Sequence, residues 1–560
     1  MAKRRIFILL LLMMLVAACS GNQSAGKTAD EGAIKPGQPN SAEANIEEGA
    51  PQVIDPLGKY DPPIEVTTVR ATNDTFKFIE GESLEDNIVY ELYEEDIGIK
   101  WKNIWSVGGD NNKYTEKLNL SIASKNLPDI FQVDIGQLKE LVDGGLVEDM
   151  TPYFEQYASQ QVKEAFGYAD GLGLRMGTFD GNLYGLPNTR DAAGNLNLLW
   201  VRQDWLDNLD LELPKTADEV IAVAEAFANN DPDGDQKKNT YGIMASFMMF
   251  DGYGLGSLDA LAAAYGAYPG KWIKGEEGLV YGSVQPEMKK VLEIGRELYA
   301  MGALDKEFAI KGGGETTADV VAGKIGMYYA PFWSPAWPLN QMIEKEPDAK
   351  WTPLLAPPGP SGEMKVPAGH FTTNWMVVRK GFEHPEALVK AINYWYDLSM
   401  TGGSRNEKYS ELRQNEYKDV DINSYTPVYS EKPNKNDLFV DEILKALKDG
   451  DTSGLSISGL KTYDKIKAGG VDGWVEQKIW TESAPLIREY KEIVTDEFYG
   501  APTETMGLTK TALDKLTNDT FTKMIMGDKS VEEFDDFVAQ WHKIGGDKMT
   551  LEVNEWASSR

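Results

Sequence analysis

Cysteine is nearly absent from this chain, which holds one cysteine and three histidines in 560 residues. A single thiol excludes an internal disulfide and a thiolate metal cluster. His370, His384 and His542 lie too far apart in sequence to form a zinc motif of the HExxH kind. Positive charge is scarce as well: 56 Lys and Arg face 88 Asp and Glu, a net charge of -32. So acidic a surface repels phosphate backbones instead of releasing their counterions, which argues against nucleic acid as a partner. The sequence has no GxSxG elbow and no Ser or Cys supported by a nearby histidine, so esterase and protease readings fail early. Long apolar runs are confined to residues 6–18, too short for a membrane span of about 20 residues.

What is present is the composition of a folded protein, with 42% hydrophobic, 26% charged and 10% aromatic residues. The length exceeds the roughly 250–300 residues at which one core stops growing, so at least two lobes are expected. Lys3, Arg4 and Arg5 precede the apolar run, which ends in Ala17-Ala18; residues 1–18 read as a signal peptide. Cys19 follows directly. Val16-Ala-Ala-Cys19 resembles the lipobox of bacterial lipoproteins, which implies a diacylglyceryl group on the thiol and gives a reason for an unpaired thiol at such a cut; the alternative is a secreted protein with an incidental cysteine. Residues 19–59 read as a lipidated tether, since residues 20–59 are rich in Gly, Ala, Ser, Asn, Pro and Glu and reach the end of the segment without an aromatic residue. Residues 21–28 match the phosphate-loop pattern GxxxxGK[ST], but no strand and helix flank them, so the match is read as chance.

From residue 64 onward strands and helices alternate. Residues 64–70, 103–107 and 129–133 read as strands, with helices at 84–93 and 114–123; later strands are expected at 196–201, 325–329 and 370–378 and helices at 220–228, 288–299 and 385–398. Thr216-Ala-Asp-Glu219 reads as a capping box. Such alternation predicts an α/β protein of two hinged lobes, with mostly parallel sheets flanked by helices. Ligands of such sheets bind beyond the C-terminal strand ends, which marks Asn73, Gln132 and Asp134. The expected first lobe comprises residues 60–187 and 374–498, the second 188–373 and 499–560, with crossings near 187–196 and 366–374.

Pro128-Asp-Ile-Phe131, Tyr184-Gly-Leu-Pro187, Trp200-Val-Arg-Gln-Asp-Trp-Leu206, Leu213-Pro-Lys-Thr216, Asp231-Pro-Asp-Gly-Asp235, Tyr281-Gly-Ser-Val-Gln-Pro286, Gly302-Ala-Leu-Asp-Lys-Glu-Phe308 and Gly323-Lys-Ile-Gly-Met327 occur in one order. With the lipobox-like Val16-Ala-Ala-Cys19, this order resembles family 1 extracellular solute-binding proteins, above all the large Gram-positive lipoproteins serving carbohydrate ABC importers. The resemblance implies a two-lobed periplasmic-binding-protein-like fold of type II, closing on an oligosaccharide and delivering it to permease subunits. It also implies a non-catalytic, lipid-anchored monomer on the outer face of the cell membrane. Two other readings stay open, a cell-surface glycoside hydrolase and a glycan-binding lipoprotein without transport. The net charge mildly disfavours acidic fragments as ligands.

Asp231, Asp233, Asp235 and Asn239 stand at loop positions 1, 3, 5 and 9, and the carbonyl of Lys237 at position 7, the spacing that wraps a loop around Ca2+. Gln236 stands where position 6 wants Gly, and Gly242 where position 12 wants a bidentate Glu; the alternative is a solvated turn. The resemblance implies calcium here. Residues 328–338 pack five aromatics and three prolines into eleven positions. Rings there can stack on sugar faces, with interlobe core as the alternative. Phe332, Trp333 and Trp337 are the candidates, the first two matching by resemblance the cleft-lining aromatic of sugar binders. Arg190, Tyr253 and His370 complete the candidate ligand-binding set, against bland roles as interlobe, surface or structural residues. Tyr394-Trp-Tyr396 and Met248-Met249 are read as core, and the acidic runs 94–96 and 532–536 as solvated faces.

The lipidation reading predicts that the protein partitions into detergent as an acylated species and that Cys19→Ala abolishes the partitioning. Mass spectrometry of the natural N-terminus showing an unmodified Cys19 would contradict it.

Overall fold

The computed structural model describes residues 54–72, 76–109, 111–250, 255–400 and 402–560, which form one compact unit. Signal peptide, Cys19, the phosphate-loop match and most of the tether lie outside the described residues, as do Asn73 and Tyr253. Among the described residues no helix is long and apolar enough to cross a membrane.

Local sequence explains where elements start. The first helix begins at Ile88, not at residue 84, because Asn87 caps it: its side chain accepts from the Tyr90 N–H while its amide donates to the carbonyls of Ser83 and Leu84, holding that stretch as a turn. Thr216 caps the helix Ala217–Asn229 by accepting from the Glu219 N–H. The reciprocal half of the expected box is shifted by one residue, since Glu219 accepts from the Lys215 N–H at 2.6 Å.

Two sheets organise the chain. In one, the strand Asn374–Val378 lies between Ile130–Asp134 and Leu186–Pro187, antiparallel to both. In the other, Ile325–Pro331 pairs in parallel with Tyr241–Ile243 and antiparallel with Asn197–Arg202, whose far side carries Trp351–Leu354, again antiparallel. The first sheet is therefore antiparallel and the second mixed, a correction to the expected mostly parallel pairing. Parallel pairs remain at Ile64–Thr72 with Ile99–Gly108 and at Val366–Pro367 with Ile493–Val494. The strands that begin after the crossings, Asn197–Arg202 and Asn374–Val378, pair antiparallel with each of their neighbours.

Packing divides along the same line. Tyr394, Trp395 and Tyr396 are buried with Val66, Tyr93, Trp101 and Phe166 around the early part of the chain. Trp205, Phe227, Met327 and Trp541 belong to a separate cluster. Residues 435–494, placed with the first lobe by the sequence, pack elsewhere: Val440, Ile479, Ala484 and Ile487 join Trp200, Tyr328 and Trp351. Tyr490 ties the segment to the second sheet, donating to the Asn197 carbonyl and accepting from the Ala356 N–H, both at 2.8 Å.

Candidate functional site: a cavity at the chain crossings

Three short segments pass between the two sheets, and they satisfy one another. The Asn188 N–H donates to the Asn374 carbonyl at 2.9 Å, Arg190 N–H to Phe371 at 2.7 Å, Ala192 N–H to Pro433 at 2.8 Å, and Glu431 N–H to Thr189 at 2.9 Å. Thr189, fully buried, also joins Ser430 Oγ at 2.8 Å and the Glu431 carbonyl at 2.5 Å. The stretch 430–436 is thus a third crossing that the sequence did not announce.

Over this braid lies a cavity of about 400 Å³. Its walls come from the C-terminal ends of Ile64–Thr72 and Ile130–Asp134, from Asn188, Arg190 and Asn374 of the crossings, and from the loop around Tyr429. Three predicted residues meet here. Gln132 accepts from the Asn188 amide at 2.8 Å and presents its backbone carbonyl to the Tyr114 hydroxyl at 2.9 Å. Asp134 lines the cavity while capping the helix Ile135–Asp143, accepting from the Gln137 N–H. Arg190 lays its guanidinium over the Tyr429 ring, 4.0 Å from the centroid. Arg70 anchors the facing loop by donating to the carbonyls of Ser424 and Tyr425. Asn73 and Tyr253 cannot be placed, lying outside the described residues.

The aromatic stretch is split. Phe332 is buried against Trp480, ring centroids 6.2 Å apart, in the core around Tyr328 and Trp351, so it offers no free face. That corrects its expected role: the hydroxyl of Ser483 donates to the Phe332 carbonyl and draws this turn into the interior. Trp333 is half-buried beside the same core and Trp337 is 42% exposed. Neither reaches the cavity wall. His370 sits half-buried at the second crossing, its pKa brought down to about 4 by burial and then by the nearby Lys271 ammonium. Sequence reading missed Tyr429, Asn188 and Asn374. The two asparagines stand within the expected crossings 187–196 and 366–374, but Tyr429 lies in an irregular loop with no periodic signal.

The profile of the bacterial extracellular solute-binding proteins matches residues 77–397. The chain belongs to this family. It is 25% identical over 456 residues to lipoprotein LipO of Bacillus subtilis, spanning 80% of this chain and 84% of that one. It is 24% identical over 400 residues to the fructooligosaccharide ABC transporter substrate-binding protein FusA of Streptococcus pneumoniae, covering 69% and 67% of the two chains. The solved EF-hand mutant of FusA in complex with fructo-nystose superposes with a TM-score of 0.57 at 17% identity, covering 89% of this chain and all of that one. The alginate-binding protein AlgQ2, solved without calcium ion, gives 0.58 at 16% over 90% and 100%. This solute-binding protein therefore has the two-lobed α/β fold expected from its sequence, and its relatives are substrate-binding proteins, not enzymes.

In the acidic loop of this solute-binding protein, Asp231, Asp233 and Asp235 bring carboxylate oxygens within 4.8 Å of one another. Gln236 adopts the left-handed backbone, φ 62°, for which glycine is preferred at loop position 6, at a cost of about 1–2 kcal/mol. Asp231 accepts from the Gln236 N–H at 3.1 Å, and the Lys237 ammonium rests on Asp235 at 3.0 Å. That hydrogen bond, with the Lys237 N–H, the Asn239 amide and the Lys237 charge, holds the Asp235 carboxyl below its usual range despite opposing desolvation; burial foremost raises Asp233. Gly242 cannot be replaced by a chelating residue, since a Cβ there would stand 2.1 Å from the Ala224 carbonyl oxygen. The carboxylate geometry fits a hard cation, with the ligand of position 12 coming from elsewhere.

Asp191, buried beneath the braid, accepts from the N–H groups of Asn436 at 3.0 Å and Gly194 at 3.2 Å, yet burial pushes its pKa up to about 6. Between about pH 4 and 6 the folded protein then holds a proton that the unfolded chain releases, so this group's contribution to stability falls as pH rises through that window. Asp496, also raised to about 6 by burial, acts in the same sense, and His370 in the opposite one. Asp191→Asn is expected to make stability fall less steeply between pH 4 and 6 than in the wild type. Urea unfolding across this range checks it, and identical slopes would contradict it.

Proposed function

We propose that this solute-binding protein captures an oligosaccharide in the cavity over its crossings and hands it to the permease of an ABC importer while Cys19 tethers it to the outer membrane face by lipid. The observation that carries the reading is the convergence of Gln132, Asp134, Asn188 and Arg190 with Tyr429 in one cavity at the strand ends. Amide, carboxylate and guanidinium groups suit vicinal hydroxyls, and the phenol ring gives a flat wall for a sugar face. The named ligand of FusA, a fructooligosaccharide, supports the ligand class, and LipO's name supports the anchor.

Packing supports a first lobe of residues 60–187 and 374–430 and a second of 197–367 and 435–560, turning on the three crossings. Closure of such lobes about a ligand follows from the architecture. A ligand at 100 times its dissociation constant adds about 2.7 kcal/mol to stability. A thermal-shift screen of an oligosaccharide panel is therefore expected to raise the Tm for at least one member, with the sugar recovered chemically unchanged. Cleavage of that sugar at a meaningful rate would promote the hydrolase reading instead.

The loop 231–239 is proposed to hold a structural Ca2+ on Asp231, Asp233, Asp235, Asn239 and the carbonyl of Lys237, the ion displacing the Lys237 ammonium from Asp235. The EF-hand of FusA, altered in its solved mutant, and the calcium-free form in which AlgQ2 was solved support this. Chelation is expected to lower the Tm and Asp233→Asn to weaken calcium uptake at least tenfold. No uptake in a calorimetric titration of the stripped protein would favour a solvated turn.

A further inference from the structure

The cavity at the crossings does not end at Tyr429. The same ring lines a second cavity of about 570 Å³, whose walls include Trp480, Phe439, Lys432 and Arg413. Trp480 and Phe439 meet edge to face at 4.5 Å, forming an aromatic corner. Arg413 also lines a third cavity, which shares Asp421 with the first.

The charges on these walls are unevenly engaged. Apart from Asp419 at the third cavity, the acids are engaged: Asp134 and Asp421 cap backbone N–H groups, Glu431 takes the Lys435 ammonium and the Tyr429 hydroxyl, and Glu442 takes the Ser456 N–H. Glu476 takes Lys465 and the Trp480 indole N–H at 3.0 Å each. The other buried or half-buried arginines among the described residues face carboxylates, as Arg202 does Asp204 at 2.6 Å and Arg379 does Asp129 at 2.7 Å, or, like Arg70, fill with carbonyls. Arg190 and Arg413 have neither kind of partner among the described residues. Arg413 is half-buried, while Arg190 is exposed and rests on the Tyr429 ring at the mouth of the first cavity. A guanidinium drawn partly out of water without an anion bears a desolvation cost that a carboxylate, gripped by two parallel N–H groups, would offset.

We propose that the ligand is an acidic oligosaccharide, carrying uronate-type carboxylates, which lies along both cavities past Tyr429 with Arg190 and Arg413 as its carboxylate-binding residues. The proposal rests on the carbohydrate-binding reading and gives it a substrate class. Net charge opposes it only weakly. At physiological ionic strength fields are screened beyond roughly 8 Å, so the cations inside the cavities decide what binds.

The test uses the full chain and calorimetric titration with trimers of galacturonate, mannuronate and guluronate, each beside its carboxyl-reduced neutral counterpart. At least one charged trimer is expected to bind tenfold or more tighter than its neutral partner, with affinity falling as salt rises. Arg190→Gln and Arg413→Gln are each expected to weaken that charged ligand at least tenfold, and by a larger factor than the neutral one. Wild-type salt dependence keeps the test decisive if either variant folds poorly. Neutral trimers binding as tightly as the charged ones, or charged binding indifferent to salt and to both substitutions, would overturn the proposal and leave carbohydrate binding standing. Silence of every trimer here, together with every sugar of the thermal-shift panel, would remove both.

Discussion

The mutual hydrogen bonding of the three crossings is the constraint on which the rest of the structure depends. A chain that passes between two sheets carries backbone donors and acceptors that neither sheet can use, and leaving them unpaired in a buried position is costly. Here they pair across segments: Asn188 with Asn374, Arg190 with Phe371, Ala192 with Pro433, Glu431 with Thr189. The buried Thr189 hydroxyl adds contacts to Ser430 and Glu431 that fix the third segment against the first. Because the pairing fixes the backbone at residues 190 and 431, it also fixes where Arg190 and the neighbouring Tyr429 meet. The candidate site thus lies against the crossings, its walls drawn from the strand ends, from Asn188, Arg190 and Asn374, and from the loop that ends at Tyr429.

That arrangement also explains the titratable groups beneath the site. Asp191 stays buried because it holds two N–H groups of the braid. Lys271 stays buried because it donates to the Ala368 carbonyl at the second crossing, burial drawing its pKa down. Each ionisable group is kept out of water by the backbone it serves, and the protonation equilibria are displaced as a result. The stability of this region is therefore tied to pH by the same contacts that hold the crossings together.

Much of the fold was legible in the sequence, because alternation of apolar runs reports burial directly. The strands at 64–72, 130–134, 197–202 and 325–331 and the helix at 386–399 lie within a few residues of where the pattern puts them. The pairing direction was not legible, since period-two alternation says nothing about which neighbour a strand meets. The packing partners of 435–494 were not legible for a related reason: a helix such as Lys435–Asp449 shows which face is apolar, but not which sheet receives it. At the site, Gln132, Asp134 and Arg190 were visible from strand ends and a crossing. Tyr429 and Arg413 were not, because they enter through irregular or strongly polar stretches, and Phe332 misled because a proline-rich aromatic run looks the same whether Ser483 draws it inward or leaves it open.

The central claim is that ligand is held over the braid, between the strand ends and Tyr429. A crystal structure of the full chain with a bound oligosaccharide addresses it most directly. The account predicts sugar within hydrogen-bonding distance of Arg190 and Gln132 with a ring against Tyr429, and the three crossings still paired. Sugar seated instead against Trp337 or elsewhere on the surface, with this cavity holding only water, would contradict it.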